Sequence, residues 1–213
     1  MISDPRRVLA GVLVGHALAS GALAQGTANP LVVLDNDYVR VTKDAAPCAT
    51  AVAGRCEDRV LVAMGAIELK AGDAPRAMKR GDVAIFKAGE SYQAPAGAYY
   101  EVAIKPGHPP VKAPPELIPA PKNLLVFEGA KFFIYEERLD PGDTRARHSH
   151  SQRVEIRLNQ GPMLQQQVWR DGQVSHMEPG IVNWREPIIH EVTNVGDLPL
   201  RNFILEFIPE RRE

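Results

Sequence analysis

The stretch GDTRARHSHSQRVEIRLNQG (142–161) decides the fold, and the rest of the chain is organised around it. It sets His148 and His150 two apart and Glu155 five further on, between Gly142 and Gly161. Side chains of a β-strand alternate faces, so His148 and His150 project the same way. Glu155 lies in a second run, RVEIRL (153–158), where Arg153, Glu155 and Arg157 share one face and Val154, Ile156 and Leu158 the other. Two imidazoles and a carboxylate converging inside a β-barrel make a site for a divalent transition metal. The competing reading is three solvated polar residues on a loop and a half-exposed strand.

Outward from this stretch the chain reads as strands throughout, with no convincing helix. Apolar runs of four to seven residues alternate with polar ones, many are β-branched, and Gly or Pro separates them. Strands are predicted over 31–36, 38–43, 59–64, 82–87 and 99–104. A second set is predicted over 124–129, 132–137, 153–158, 163–169, 180–184, 190–194 and 202–207. The two sets are one pattern written twice. LVVLDNDYVRV (31–41) aligns with LLVFEGAKFFI (124–134), and DRVLVAMGAIEL (58–69) with QRVEIRLNQGPM (152–163). RGDVAI (80–85) aligns with PGIVNW (179–184), which pairs Gly81 with Gly180. Between the copies, KPGHPPVKAPPELIPAPK (105–122) holds seven prolines, a density that keeps the chain extended and makes a semi-rigid connector. His108 within it reads as a solvated connector residue.

The second copy continues through RDGQVSHMEPGIVNWREPIIHEVTN (170–194), with turns at Asp171-Gly172 and Pro179-Gly180, then His190 and, four residues on, Asn194. Gly142-x5-His148-x-His150-x4-Glu155-x5-Gly161 resembles the first cupin motif, one residue short at its last glycine. Gly172 … Pro179-Gly180 … His190-x3-Asn194 is similar to the second, with wider spacing before the histidine. The resemblance implies an all-β bicupin: two tandem jelly-roll (double-stranded β-helix) barrels, residues 25–105 and 123–213, joined by a connector at 106–122. It implies His148, His150, Glu155 and His190 as ligands of one divalent transition metal (Fe, Mn, Ni, Cu or Zn). Each would bind unprotonated, so affinity is expected to fall as pH drops toward the histidine range.

The alignment places Gly54 opposite His148, Cys56 opposite His150, Leu61 opposite Glu155, and Ser91 or Tyr92 opposite His190. All four ligand positions are lost together in the first copy, which is therefore expected to be a degenerate barrel without metal. The apolar face of Val154, Ile156 and Leu158 needs a cover, either the other barrel or a second copy of the chain in a homo-oligomer. Arg157 is expected on the inward face beside Glu155. Two roles fit it: binding the carboxylate or other anionic group of a small ligand, or a structural pair with Glu155. Gln165, Gln167 and Trp169 share a face that either lines the barrel or meets solvent, and Trp184 reads as core or subunit contact.

At the start of the chain, Arg6 and Arg7 precede an apolar run (8–24) that closes on Ala22-Leu23-Ala24. That pattern predicts a signal peptide, residues 1–24, and export to the periplasm or outside. The run is too short and glycine-rich for a membrane anchor, so no membrane span is expected in the mature chain. In an oxidising compartment Cys48 and Cys56 are expected to form a disulfide, worth about 2–3 kcal/mol on a loop-entropy basis. The alternative, a soft metal pair, has no matching structural-zinc spacing. The chain carries 25 basic and 26 acidic side chains, and removing residues 1–24 leaves a net charge of −2. With no basic patch interleaved with aromatics, nucleic acid is not an expected partner. The partner expected is a small molecule.

Two functions fit this reading. One is a metal-dependent enzyme of dioxygenase-like or isomerase/lyase-like type, acting on a small organic, anionic substrate. The other is a non-catalytic exported protein that binds metal or a small ligand. Three histidines and a glutamate leave open positions for Lewis-acid or O₂ chemistry, and fold alone does not choose among reactions.

Overall fold

A computed structural model of the chain describes residues 31–44, 57–72, 74–112, 122–159, 161–167 and 171–209. The expected signal peptide, Cys48 and Cys56, and the middle of the connector lie outside the described residues. Among the described residues there is no helix, and so none long and apolar enough to cross a membrane.

The first half contributes β1 (Leu31–Asp35), β2 (Val39–Lys43), β3 (Asp58–Ala63), β4 (Ile67–Lys70), β5 (Pro75–Met78), β6 (Val83–Phe86) and β7 (Tyr99–Ile104). The second contributes β8 (Asn123–Glu128), β9 (Phe132–Leu139), β10 (Thr144–His150), β11 (Arg153–Arg157), β12 (Gly161–Gln167), β13 (Gln173–Met177), β14 (Val182–Arg185), β15 (Ile188–Asn194) and β16 (Leu200–Phe207). Every strand expected from the sequence is present. Strand β10 falls in none of the predicted ranges, although the shared face of His148 and His150 assumes a strand there, and strands β4, β5 and β13 were not expected. Pro75, Arg76, Ser175 and His176 break the β-branched pattern there, and pairing with neighbours supplies what propensity does not.

The duplication is carried by the pairing. One five-stranded sheet runs β1-β2-β7-β3-β6, and the other runs β8-β9-β16-β11-β14, the same order with equivalent strands. Registers agree residue by residue: Leu61 faces Ala84 and Glu101, whereas Glu155 faces Asn183 and Ile204. Gly81 and Gly180 both take positive φ (92° and 83°), a conformation an L side chain rarely adopts. At Gly180 the turn also meets the other half, since its carbonyl accepts from Tyr100 Oη at 2.7 Å. The second half adds a four-stranded sheet, β10-β15-β12-β13, that closes its barrel. In the first half β4 and β5 pair, and Lys70 bridges to Gln93. That bridge corresponds to Leu164 opposite Thr193, so register puts Glu90 opposite His190, one residue before the pair the sequence alignment offers.

The two five-stranded sheets pack on one another through the faces turned away from the barrel interiors. Val39, Val41, Val60, Val62, Tyr100 and Val102 on one side meet Ile134, Val154, Ile156, Phe203, Leu205 and Phe207 on the other in a single buried cluster. The cover that Val154, Ile156 and Leu158 require is therefore the first barrel. Each such aliphatic side chain contributes roughly 1.5–3 kcal/mol on burial, so the barrels share their largest apolar core. Trp184 joins this junction, stacking on Tyr38 of the first half at 5.6 Å. His108 is not simply solvated: its ring lies edge-on to Phe207 at 5.6 Å, and its Nδ1 is 2.8 Å from the Pro109 carbonyl.

Candidate metal centre

Alternation along each strand selects what each barrel holds. On β3, Leu61 and Ala63 turn inward, where Ile67, Leu69, Met78, Ala84, Phe86, Tyr92 and Tyr99 fill the first barrel. The polar exception is Arg59, which lies over the rings of Phe86 and Tyr92 and 3.5 Å from Glu101, itself bonded by Tyr92 Oη. On β11 the same face presents Arg153, Glu155 and Arg157, all nearly fully buried.

The histidines come from adjacent strands. His148 on β10 stands directly opposite His190 on β15. One extra residue in β10, between Arg145 and His148, forms a β-bulge, so both side chains point into the barrel although they are three apart. His148 Nε2 lies 3.0 Å from His150 Nε2 and 3.1 Å from His190 Nε2. These three histidines form the one group of possible ligands found together among the described residues.

The other ring nitrogens fix which atom is free. His148 Nδ1 is 2.8 Å from the bulge carbonyl of Ala146, an acceptor that requires Nδ1 to carry the proton. His150 Nδ1 lies 3.0 and 3.2 Å from the two oxygens of Glu206. Both rings therefore turn an Nε2 lone pair toward the other, a juxtaposition of acceptors that a bound cation satisfies. Burial first, then Arg145, holds His148 down to about 4, and burial with the neighbouring imidazoles holds His190 down to about 2. His150 is lowered by burial and Arg153. Neutral, buried imidazoles with converging lone pairs fit a divalent transition metal.

Glu206 was not foreseen. Besides His150 it accepts from Tyr135 Oη at 2.7 Å and from the Ser151 amide at 2.6 Å. Burial pushes its carboxyl upward. The available signal was an acid among inward positions of the apolar strand NFILEF (202–207), but nothing in the spacing ties it to a histidine 56 residues earlier. Arg145, beneath the bulge, forms an ion pair with Glu137, which also accepts from Asn202 Nδ2 at 2.5 Å.

Glu155, expected as the fourth ligand, is not brought into the histidine group. Burial raises its carboxyl, but Arg157 and Arg185 outweigh that and hold it low. Its Oε1 is 2.7 Å from Arg157 Nη1 and its Oε2 accepts from Arg185 Nε at 2.8 Å. The Arg157 contact is close but not aligned as a hydrogen bond, so Nη1 stays without one. Asn194, the last residue of the second motif, is structural: its Nδ2 donates to the carbonyls of Leu139 and Leu198. His150, His190, Arg153, Glu155, Arg157 and Arg185 all line one cavity of about 610 Å³ that also takes in Gln165. The side chains of Gln167 and Trp169 lie outside those described.

No protein-family model and no curated protein sequence matches the chain. Solved structures do. A putative glyoxylate induced protein from Pseudomonas aeruginosa matches with a TM-score of 0.56 at 13% identity, over 82% of this chain and 75% of that one. Oxalate decarboxylase from Lactobacillus farciminis, solved as a formate complex, matches with a TM-score of 0.54 at 13% identity, over 84% and 79%. A cupin 2 conserved barrel domain protein from Leptotrichia buccalis matches with a TM-score of 0.53 at 11% identity, over 84% and 88%. At these identities the likeness is one of fold: the chain carries the cupin fold, twice over.

Proposed function

We propose that this chain is an exported bicupin that holds one divalent transition metal on His148, His150 and His190 and acts as a metal-dependent enzyme on a small organic molecule in the adjoining cavity. The observation that carries it is the convergence of three buried histidines, with His150 Nε2 and His190 Nε2 at 3.0 and 3.1 Å from His148 Nε2 and two of the rings having their Nδ1 committed to acceptors. Glu155 is occupied by two arginines, so the three histidines are taken as the metal's protein donors. Bound there, the ion supplies Lewis-acid or redox chemistry at its open positions. The protein's own part is to keep the imidazoles neutral, fix their tautomers through Ala146 and Glu206, and enclose the substrate. Export rests on the pattern of residues 1–24 and would place Cys48 and Cys56 where a disulfide persists.

Metal analysis of the protein purified from its native compartment tests the centre. One equivalent of a transition metal is expected, with His190→Ala losing affinity by at least about 100-fold in a chelator-competition titration. Retention of metal by that variant defeats the assignment. O₂ consumption or turnover of candidate organic acids by the loaded protein separates the enzyme from a binding protein. N-terminal sequencing of the mature chain tests cleavage after Ala24.

A further inference from the structure

The cavity wall formed by β11 and β14 sets two guanidiniums on one carboxylate. Arg153, Arg157 and Arg185 line it with Glu155, while the cavity's other two carboxylates, Glu137 and Glu186, are engaged elsewhere. Both Glu155 oxygens are taken, one by Arg157 and one by Arg185, so two guanidiniums share one charge. Arg157 is only 5% exposed, yet its Nη1 lacks a hydrogen-bond partner. Arg153 gives Nη1 to two neutral acceptors, the carbonyls of Ser151 and Glu186, both at 3.3 Å. Glu206 stands opposite Arg153 in register, but His150, Tyr135 and Ser151 engage it. Glu137 is answered by Arg145 and Asn202, and Glu186 Oε1 accepts from Trp184 Nε1 at the rim. A buried guanidinium without its full set of acceptors is costly, and its planar fork matches a carboxylate. Glu155 shows that a carboxylate fits between these arginines.

We propose that Arg157 and Arg185, with Arg153 beside them, form a carboxylate-binding subsite of this cavity for a small organic acid, and that Glu155 is the built-in counter-ion sharing the arginines with it. This deepens the enzyme reading, which supplies the reacting end of the acid. The subsite belongs to the polypeptide, so it works with or without metal.

The test is calorimetric titration of the full chain, chelator-treated and zinc-loaded, with succinate as probe and succinamide as its neutral isostere. Succinate is expected to bind the metal-free protein saturably, and succinamide is not. Arg185→Gln, at the half-exposed mouth (side chain 42% exposed), leaves the core intact and is expected to weaken binding at least about tenfold. Arg157→Met is expected to abolish binding, with Arg157→Lys, which keeps the charge but not the fork, falling between; a circular dichroism spectrum checks folding of each. Glu155→Gln removes the internal competitor and is expected to tighten binding several-fold. Equal binding by wild type, Arg185→Gln and Arg157→Met, equal binding of succinamide, or no binding in either form overturns the subsite. Succinate bound only by zinc-loaded protein and indifferent to the arginines overturns it while leaving the metal centre standing. Arginine-dependent binding by a protein that takes up no zinc supports the subsite and defeats the metal reading.

Discussion

The two barrels are built on the same sheet order and the same inward register, yet one interior is oily and the other is ionic. At equivalent positions of β3 and β11, Leu61 and Glu155 face inward. Around Leu61 stand alanine, methionine and aromatic rings; around Glu155 stand arginines and a cavity. A barrel with nothing to bind has to be filled, because an open polar interior leaves buried groups unpaired. A barrel that binds gives up that filling and meets the electrostatic cost through pairing: Arg145 with Glu137, Glu155 with two arginines, Glu206 with His150. Both copies keep one arginine at the same register, Arg59 and Arg153, but only the first sets it against a stacked pair of aromatic rings, Phe86 and Tyr92.

The contrast is broken most severely by Leu61→Glu, which puts the second barrel's acid into the first. Arg59 already serves Glu101 there, so a loss of about 3–5 kcal/mol is expected in chemical denaturation, the cost of an unpaired buried charge. A stability loss below 1 kcal/mol would show the first interior to be more permissive than its packing indicates. Next, Glu206→Gln removes the charge behind His150 while keeping its shape. Metal affinity is expected to fall about 10- to 100-fold, as for other groups that orient a ligating imidazole, with no change in the first barrel.

Acid should act on the second barrel first, since the first half's Asp35, held down to about 2 by Arg40 and Lys105, loses its pairing only well below the histidine range. His148 is held at about 4 against an ordinary 6.5, so as pH falls the unfolded chain takes up its proton first. Stability that is complete above about pH 6.5 is therefore lost on the way down to about 4, at up to about 1.4 kcal/mol per pH unit for this one group. Thermal melts of chelator-treated wild type and His148→Asn between pH 7 and 5 should diverge with that slope. Parallel curves would mean that His148 is not kept neutral by the fold. The smallest effect is expected from Tyr100→Phe, which removes the hydroxyl bonded to the Gly180 carbonyl across the two halves. A loss of about 0.5–1.5 kcal/mol in denaturant titration is expected.

Much of this was legible in residues 142–194. Period-two alternation put Glu155 and Arg157 inward, the repeat located both copies, and the pairing of Gly81 with Gly180 survived to the level of φ. Spacing put His148 and His150 on one face; His190 came from the resemblance to the second cupin motif, and the structure sets it on the neighbouring strand. What escaped was whatever depends on distant strands meeting. Glu206 reaches His150 across 56 residues, and Arg185 reaches Glu155 through a strand too short to announce its face. The bulge that aims Arg145 and His148 together is also silent, since one extra residue in a strand leaves no compositional mark. Glu155 itself shows the limit of motif reading: its position was right for the inward face, but its partners in the structure are arginines.

The sheet-to-sheet junction has a further consequence for handling and assembly. Phe203, Leu205, Phe207, Val154 and Ile156 form one continuous apolar wall covered by the first barrel, with His108 and Val111 of the connector packed against the same cluster. Cut at the connector, the second half would carry that wall into water, with the outward face of its five-stranded sheet laid open to self-association and aggregation. The first barrel thus acts as a permanently attached cover for that wall, which ties the folding of the second half to the presence of the first.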